Sequence, residues 1–97
     1  MPLQTPYAYV VSYDLNQPLD RYTPLFDELK RSYKWWHYLT ATWIVLRYDA
    51  LAELGPKLTP LIFQTDRLLI MQAKGPADGW LAPDAWKWIQ DNVPRAW

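Results

Sequence analysis

Residues 7 to 13 alternate, with Tyr7, Tyr9, Val11 and Tyr13 on one side and Ala8, Val10 and Ser12 on the other. A period of two in β-branched and aromatic residues predicts a strand, which ends on a lone carboxylate, Asp14. Asn16-Gln17-Pro18 breaks the chain. Thr23-Pro24 then offers an N-cap and a proline at the first helical position. Tyr22, Leu25, Phe26, Leu29 and Tyr33 fall at helical spacing, with Asp27, Glu28, Lys30 and Arg31 on the polar face, so a helix is expected over 23 to 33. The long aromatic run KWWHYLTATWIVLRYD exceeds one average strand and divides near Thr40-Ala41, giving strands at 35 to 39 and 42 to 48. Leu51, Leu54, Leu58, Leu61 and Ile62 predict a short or kinked helix at about 51 to 60, with Asp49 as its cap and Gly55-Pro56 interrupting it. DRLLIMQA, 66 to 73, reads as a fourth strand. Gly75-Pro76 and Asp78-Gly79 turn the chain, and Pro83 opens a C-terminal helix on which Trp86, Ile89 and Val93 share a face.

This β-α-β-β-α-β order, with right-handed crossovers, predicts an α+β ferredoxin-like sandwich. Its antiparallel sheet has the order 4-1-3-2 and both helices lie on one face. The other sheet face is then left bare by those helices. Residues 1 to 97 are read as a single domain whose tryptophan-rich extension, about 75 to 97, is expected to dock across a dimer.

Composition sharpens this picture. Seven Trp and seven Tyr in 97 residues are too many for one small core, so some belong on an open face, an oligomer interface or a binding surface. Ten basic and ten acidic side chains cancel, so nucleic acid would have to be met by a local patch or a doubled surface. Cysteine is absent, which excludes disulfides and thiolate metal sites. Without a long apolar span or a charged leader, no membrane partner is expected and the expected location is cytoplasmic.

In a 4-1-3-2 sheet the end of the first strand lies beside the starts of the third and fourth. Asp14 is thereby expected near Thr42 and Trp43 on one side and Asp66 and Arg67 on the other. One or two carboxylates with water and substrate phosphates are the usual Mg²⁺ ligands, so Asp14 with Asp66 suggests metal-assisted phosphodiester hydrolysis. Two plainer roles compete. Asp14 suits an Asx-turn with Leu15 and Asn16, and Arg67 is placed to neutralise it. His37, among Trp35, Trp36 and Tyr38, reads as a packed or partly exposed member of an aromatic cluster rather than a base. The lone histidine gives no zinc site, Ser12 no nucleophile elbow, and GPADG no phosphate loop. Lys30, Arg31 and Lys34, with Arg21 and Arg47 as additions, form the best basic patch around tyrosine, although cations also favour a helix C-terminus. TWIVLRY lacks the basic-glycine-aromatic signature of a base-stacking sheet, which favours self-association through the strand-one tyrosines.

SYDLNQP, LFDELKRSYKWWHYLTATWIV, DRLLI and GWLAPDAWKWI together resemble the small bacterial and phage proteins termed SinR-like. YAYVVSYDLN, with a tyrosine and aspartate closing strand one, also resembles the opening of the CRISPR-associated protein two family, to which the SinR-like group and the virulence-associated protein D toxins are regarded as distantly related. The resemblance implies a ferredoxin-like homodimer in which Asp14 of each copy is a Mg²⁺ ligand for cleavage of RNA or DNA, with Tyr13 and Arg21 meeting substrate. Two functions from different classes follow. One is a Mg²⁺-dependent endonuclease with Asp14 catalytic and Asp66 supporting. The other is a non-catalytic dimeric adaptor that binds nucleic acid, or a protein, through its aromatic and basic surfaces.

Overall fold

The computed structural model describes residues 4–95. It is a four-stranded antiparallel sheet with three helices. The strands are β1 (Tyr7–Asp14), β2 (Lys34–Leu39), β3 (Thr42–Arg47) and β4 (Arg67–Gln72); the helices are α1 (Thr23–Lys30), α2 (Leu51–Leu58) and α3 (Pro83–Asn92). The sheet order is β2-β3-β1-β4, the expected 4-1-3-2 read in reverse. β1 is therefore internal. Tyr7 pairs with Arg47 through to Ser12 with Thr42 on one flank, and Tyr9 with Gln72 through to Asp14 with Arg67 on the other.

Local departures from the expected elements have identifiable causes. α1 starts after a 3-10 turn at Leu19–Tyr22, so Thr23 lies inside the helix and its hydroxyl donates back to Asp20 O (3.3 Å). α1 ends at Lys30 because Arg31 N–H already turns to Asp27 O and Glu28 O, and Tyr33 N–H leaves to bond Leu46 O (2.9 Å). Asp49 does not cap α2. Ala50 holds that position, with its N–H donating to Glu53 Oε1 (2.9 Å), and Asp49 faces Arg47 and Lys57 instead.

Strand alternation divides the sheet's side chains between two cores. Tyr9 and Val11, with Trp43 and Val45, pack beneath Tyr22, Leu25, Leu29, Leu54 and Leu58 of the α1–α2 layer. Tyr13 lies on that same side. The strand-one tyrosines 9 and 13 are thus under helices rather than on a bare face. The second face is not bare either. α3 folds back onto it, where Trp36 and Ile44 meet the fully buried Ala85, flanked by Val10, Leu81, Trp88, Ile89 and Val93. Trp36 Nε1 donates to Ala85 O at 3.1 Å, an approach that a methyl side chain permits. Within the single chain the tail packs on its own sheet, and it contributes Trp88 in preference to Trp86. The β4 side of this face stays open, with Leu69 52% and Met71 55% exposed. Trp97 lies outside the described residues.

Arg47, expected as part of a surface patch, is buried at the end of β3. Its Nε donates to Asp49 Oδ1 (2.8 Å) and its Nη2 to Glu28 Oε2 (2.9 Å); its Nη1 reaches Glu28 O (2.9 Å) and Ser32 Oγ (3.2 Å). One guanidinium thus joins α1 to the entry of α2. Its bond to Asp49, helped by Lys57, holds the Asp49 carboxyl at about 2, below the ordinary 3.8.

Two measurements check this packing. Ala85→Leu forces α3 off Trp36 and should destabilise the domain by about 1–3 kcal/mol in denaturant unfolding. The loss should be the same at low and high protein concentration, because the contact is within one chain. Arg47→Ala removes the buried partner shared by Glu28 and Asp49, leaving them only the more exposed Arg31 and Lys57, and should cost about 3 kcal/mol. In the wild type, the stability supplied by Asp49 is fully present above pH ~4 and falls away as pH drops toward ~2, because the folded carboxyl titrates below the unfolded one.

Candidate nucleic-acid cleft

At the carboxyl end of β1 the chain leaves the sheet between the β2–β3 hairpin and the face of α1. The space between them is a cleft of about 450 Å³ lined by Tyr13, Asp14, Phe26, Lys30, His37 and Trp43, with Leu15, Leu19, Thr40 and Ala41 completing its walls. That volume lies within the range of small-ligand sites.

The cleft floor is aromatic and fixed. Trp43 is buried, and its Nε1 donates to the Tyr13 hydroxyl oxygen (3.0 Å), which in turn donates to Thr40 O (3.4 Å). Burial pushes the Tyr13 phenol above its ordinary value, although the Trp43 N–H pulls the other way, and the ring serves as a wall of the cleft. The Phe26 ring lies nearly parallel to Trp43, 6.2 Å between centroids at 18°. His37 stacks on Trp43 at 3.9 Å and 13°, and its Nε2 lies 3.2 Å from Thr40 O. Continued past Trp35–Val45 and Trp36–Ile44, the regular β2–β3 register sets His37 opposite Trp43; the register shifts by one residue between Trp36 and Leu39. His37 is thus an exposed member of the aromatic cluster, and although its strand lies two positions from β1 it lines the same cleft as Asp14.

Asp14 ends β1 exposed, with Arg67 as its cross-strand neighbour. Arg67 does not neutralise it. The guanidinium Nη1 donates to Asp66 O (2.9 Å), and among the described residues the Asp14 carboxylate has no hydrogen-bond or ion-pair partner. Nor does it make the Asx-turn considered from sequence. Thr42, expected beside Asp14, pairs instead with Ser12, Oγ1 to Oγ 3.1 Å.

Asp66 is 4% exposed and committed elsewhere. Its Oδ1 accepts the Asn16 N–H (2.7 Å), and its Oδ2 accepts the Tyr22 hydroxyl (2.8 Å) and the Phe63 N–H (2.8 Å). Burial alone would raise its pKa, but the bonds from Phe63, Asn16 and Tyr22 outweigh that and hold it below the ordinary value. Asp66 therefore pins the turn that follows Asp14 and does not face the cleft. Asp66 is thus no partner to Asp14 in holding a Mg²⁺ ion, and no group of three or more His, Cys, Asp or Glu among the described residues is placed to hold a metal.

The basic residues divide. Lys30 and Lys34 flank the turn from α1 into β2, with Lys30 Nζ 5.9 Å from the Trp35 ring and Lys34 Nζ 5.7 Å from the Tyr33 ring. Arg31, between them, is paired with Glu28 (3.1 Å) yet largely exposed. These three form one aromatic-basic rim along the β2 edge, where Tyr33, Trp35 and Tyr38 are all exposed. Arg21 lies in the 3-10 turn that precedes α1, at the other end of that helix from Lys30.

The two aspartates should separate cleanly on mutation. Asp66→Asn should lower the thermal midpoint by several degrees, because a buried acceptor of three hydrogen bonds is replaced by a group that is partly a donor. Asp14→Asn, at an exposed carboxylate without partners, should leave the midpoint within about a degree. Equal effects of the two substitutions would contradict this division between a structural and a free carboxylate.

No helix among the described residues is long and apolar enough to cross a membrane. Comparison of the chain with protein-family models, curated proteins and solved structures finds no match, so function is to be read from the cleft itself.

Proposed function

We propose that this protein is a non-catalytic nucleic-acid-binding domain that holds single-stranded RNA or DNA along the β2 edge and in the cleft at the end of β1. The observation that carries this reading is the continuity of the aromatic cleft with the basic rim. Exposed ring faces, His37 within the cleft and Trp35 and Tyr33 beside it, run alongside Lys30, Arg31 and Lys34. Unpaired bases stack on aromatic faces with little regard to sequence, and cations meet the phosphates between them. A neutral chain gathers no nucleic acid by its overall field, so a local patch of this kind is what binding would require.

The helix and strand order, with the 4-1-3-2 sheet, supports reading the domain as a ferredoxin-like sandwich. The nucleic-acid association implied by the SinR-like and CRISPR-subunit resemblance is kept in this reading. Its metal chemistry is not, because Asp66, the expected second ligand, spends its carboxylate on Asn16, Phe63 and Tyr22. Self-association is retained as well. Leu69 and Met71 on the free edge strand β4 give a second copy an apolar strip to cover, and Leu69→Lys with Met71→Lys should then shift a dimer to monomer in sedimentation.

Fluorescence anisotropy with a labelled single-stranded oligonucleotide tests the function. Affinity should fall with salt, and replacing Lys30 and Lys34 by Gln should flatten the log-log slope by roughly 1.4, about 0.7 for each lost phosphate contact. His37→Ala should weaken binding by about 1 kcal/mol or more through lost stacking. Binding that ignores salt, or no binding, would reject the reading. Mg²⁺-dependent cleavage that disappears in Asp14→Ala would replace it with the hydrolytic one.

A further inference from the structure

The unpaired Asp14 carboxylate gives the cleft a feature that stacking does not use. We infer that the cleft is a guanine-selective base pocket, in which Asp14 reads the Watson–Crick edge of one unstacked guanine while Lys30 meets an adjacent phosphate. This inference rests on the nucleic-acid reading above and names the base its cleft prefers.

Three observations converge on it. First, the walls suit a flat ring: Tyr13, Phe26 and the exposed His37, which is itself held flat against Trp43. Second, charges of opposite sign line the same cleft, Asp14 from the end of β1 and Lys30 from the end of α1. An occupant should therefore carry both N–H donors and a negative group, as a nucleotide unit does and a plain hydrophobic side chain does not. Third, the Asp14 carboxylate is free. It has no partner among the described residues, its strand neighbour Arg67 is turned to Asp66 O, and Ser12 and Thr42 satisfy each other.

The choice of base follows from the donor pattern. An ionised carboxylate only accepts hydrogen bonds, through two oxygens side by side. Guanine presents two adjacent donors on its pairing edge, N1–H and N2–H, and so meets both oxygens at once. Adenine places its N1 lone pair there, and cytosine its N3 lone pair, each of which a carboxylate repels. Uracil offers a single N–H between two carbonyl oxygens. Bidentate pairing of this kind discriminates by roughly tenfold or more against a base that cannot form it.

The same position explains why a strand made to be buried finishes on a charge. A carboxylate in the sheet interior would need compensation, whereas at the end of β1 it keeps access to water when the cleft is empty.

The test is a comparison of two labelled oligouridylates that differ only at a central nucleotide, guanosine in one and adenosine in the other, at fixed salt without divalent ions. The wild type should bind the guanosine ligand about tenfold more tightly. In Asp14→Asn the two affinities should converge, mainly by weakening of the guanosine complex, while Lys30→Gln should weaken both by a similar factor. Equal affinities in the wild type, or a guanosine preference that survives Asp14→Asn, would overturn the guanine pocket and leave salt-sensitive nucleic-acid binding standing. Failure to bind either ligand would overturn both. Unchanged thermal midpoints for the two variants keep loss of fold from imitating loss of contact.

Discussion

The buried carboxylate of Asp66 is the constraint on which the site depends. It lies at the start of β4 and binds the chain leaving β1 through Asn16 N–H, its own loop through Phe63 N–H, and the approach to α1 through the Tyr22 hydroxyl. The Tyr22 oxygen also accepts the Gln17 N–H (3.0 Å), so the clamp extends along the turn. Two stretches distant in sequence, 16 to 22 and 63 to 66, are tied at one point. A charge taken out of water is tolerated only when such bonds replace its hydration. The consequence for function is positional: because Asn16 is fixed, Asp14 and Leu15 are held at the mouth of the cleft.

A second cross-link works at the opposite end of β3. There Arg47 connects Glu28 on α1 with Asp49 before α2, and Tyr9 adds a bond from its hydroxyl to Asp49 O (2.7 Å). Between these two polar anchors the α1–α2 layer presses on Tyr9, Val11, Trp43 and Val45. α1 is thus set at a defined height above the sheet, and the gap beyond its Phe26 face is the cleft. The open space is a by-product of how the helix layer is fastened.

Much of the architecture is legible in the chain. Alternation in β1, the proline at the start of α1 and the turn residues at 75 to 79 suffice for element order, and the order with right-handed crossovers suffices for the sheet. The burial of Arg47 is hidden, because an arginine closing a strand before Tyr48 and Asp49 reads equally well as a surface cation. The use of the second face by α3 escapes sequence reasoning for a different reason. Nothing in DAWKWI says which of two apolar faces it will cover, and Ala85, the residue at the contact, carries no hydrophobic signal of its own. Topology alone brings Asp14 and Asp66 to one end of the sheet, but sequence spacing does not tell which carboxylate is spent on backbone N–H groups. His37 stands opposite Trp43 by the ordinary β2–β3 register, but nothing in KWWHY tells whether its ring is enclosed or left open at the cleft.

The central claim is that the cleft bounded by Tyr13, His37 and Trp43, with its lysine rim, is the surface on which a single strand settles. Amide and indole NMR spectra of the protein, recorded while a short single-stranded oligonucleotide is added, test it most directly. The account predicts shifts at the Trp43 indole N–H, at His37, and at the backbone of Asp14, Lys30 and Lys34, with the Trp36 and Trp88 indole signals beneath α3 unmoved. Shifts confined to the α3 side or to β4, with Trp43 and His37 unchanged, would contradict it.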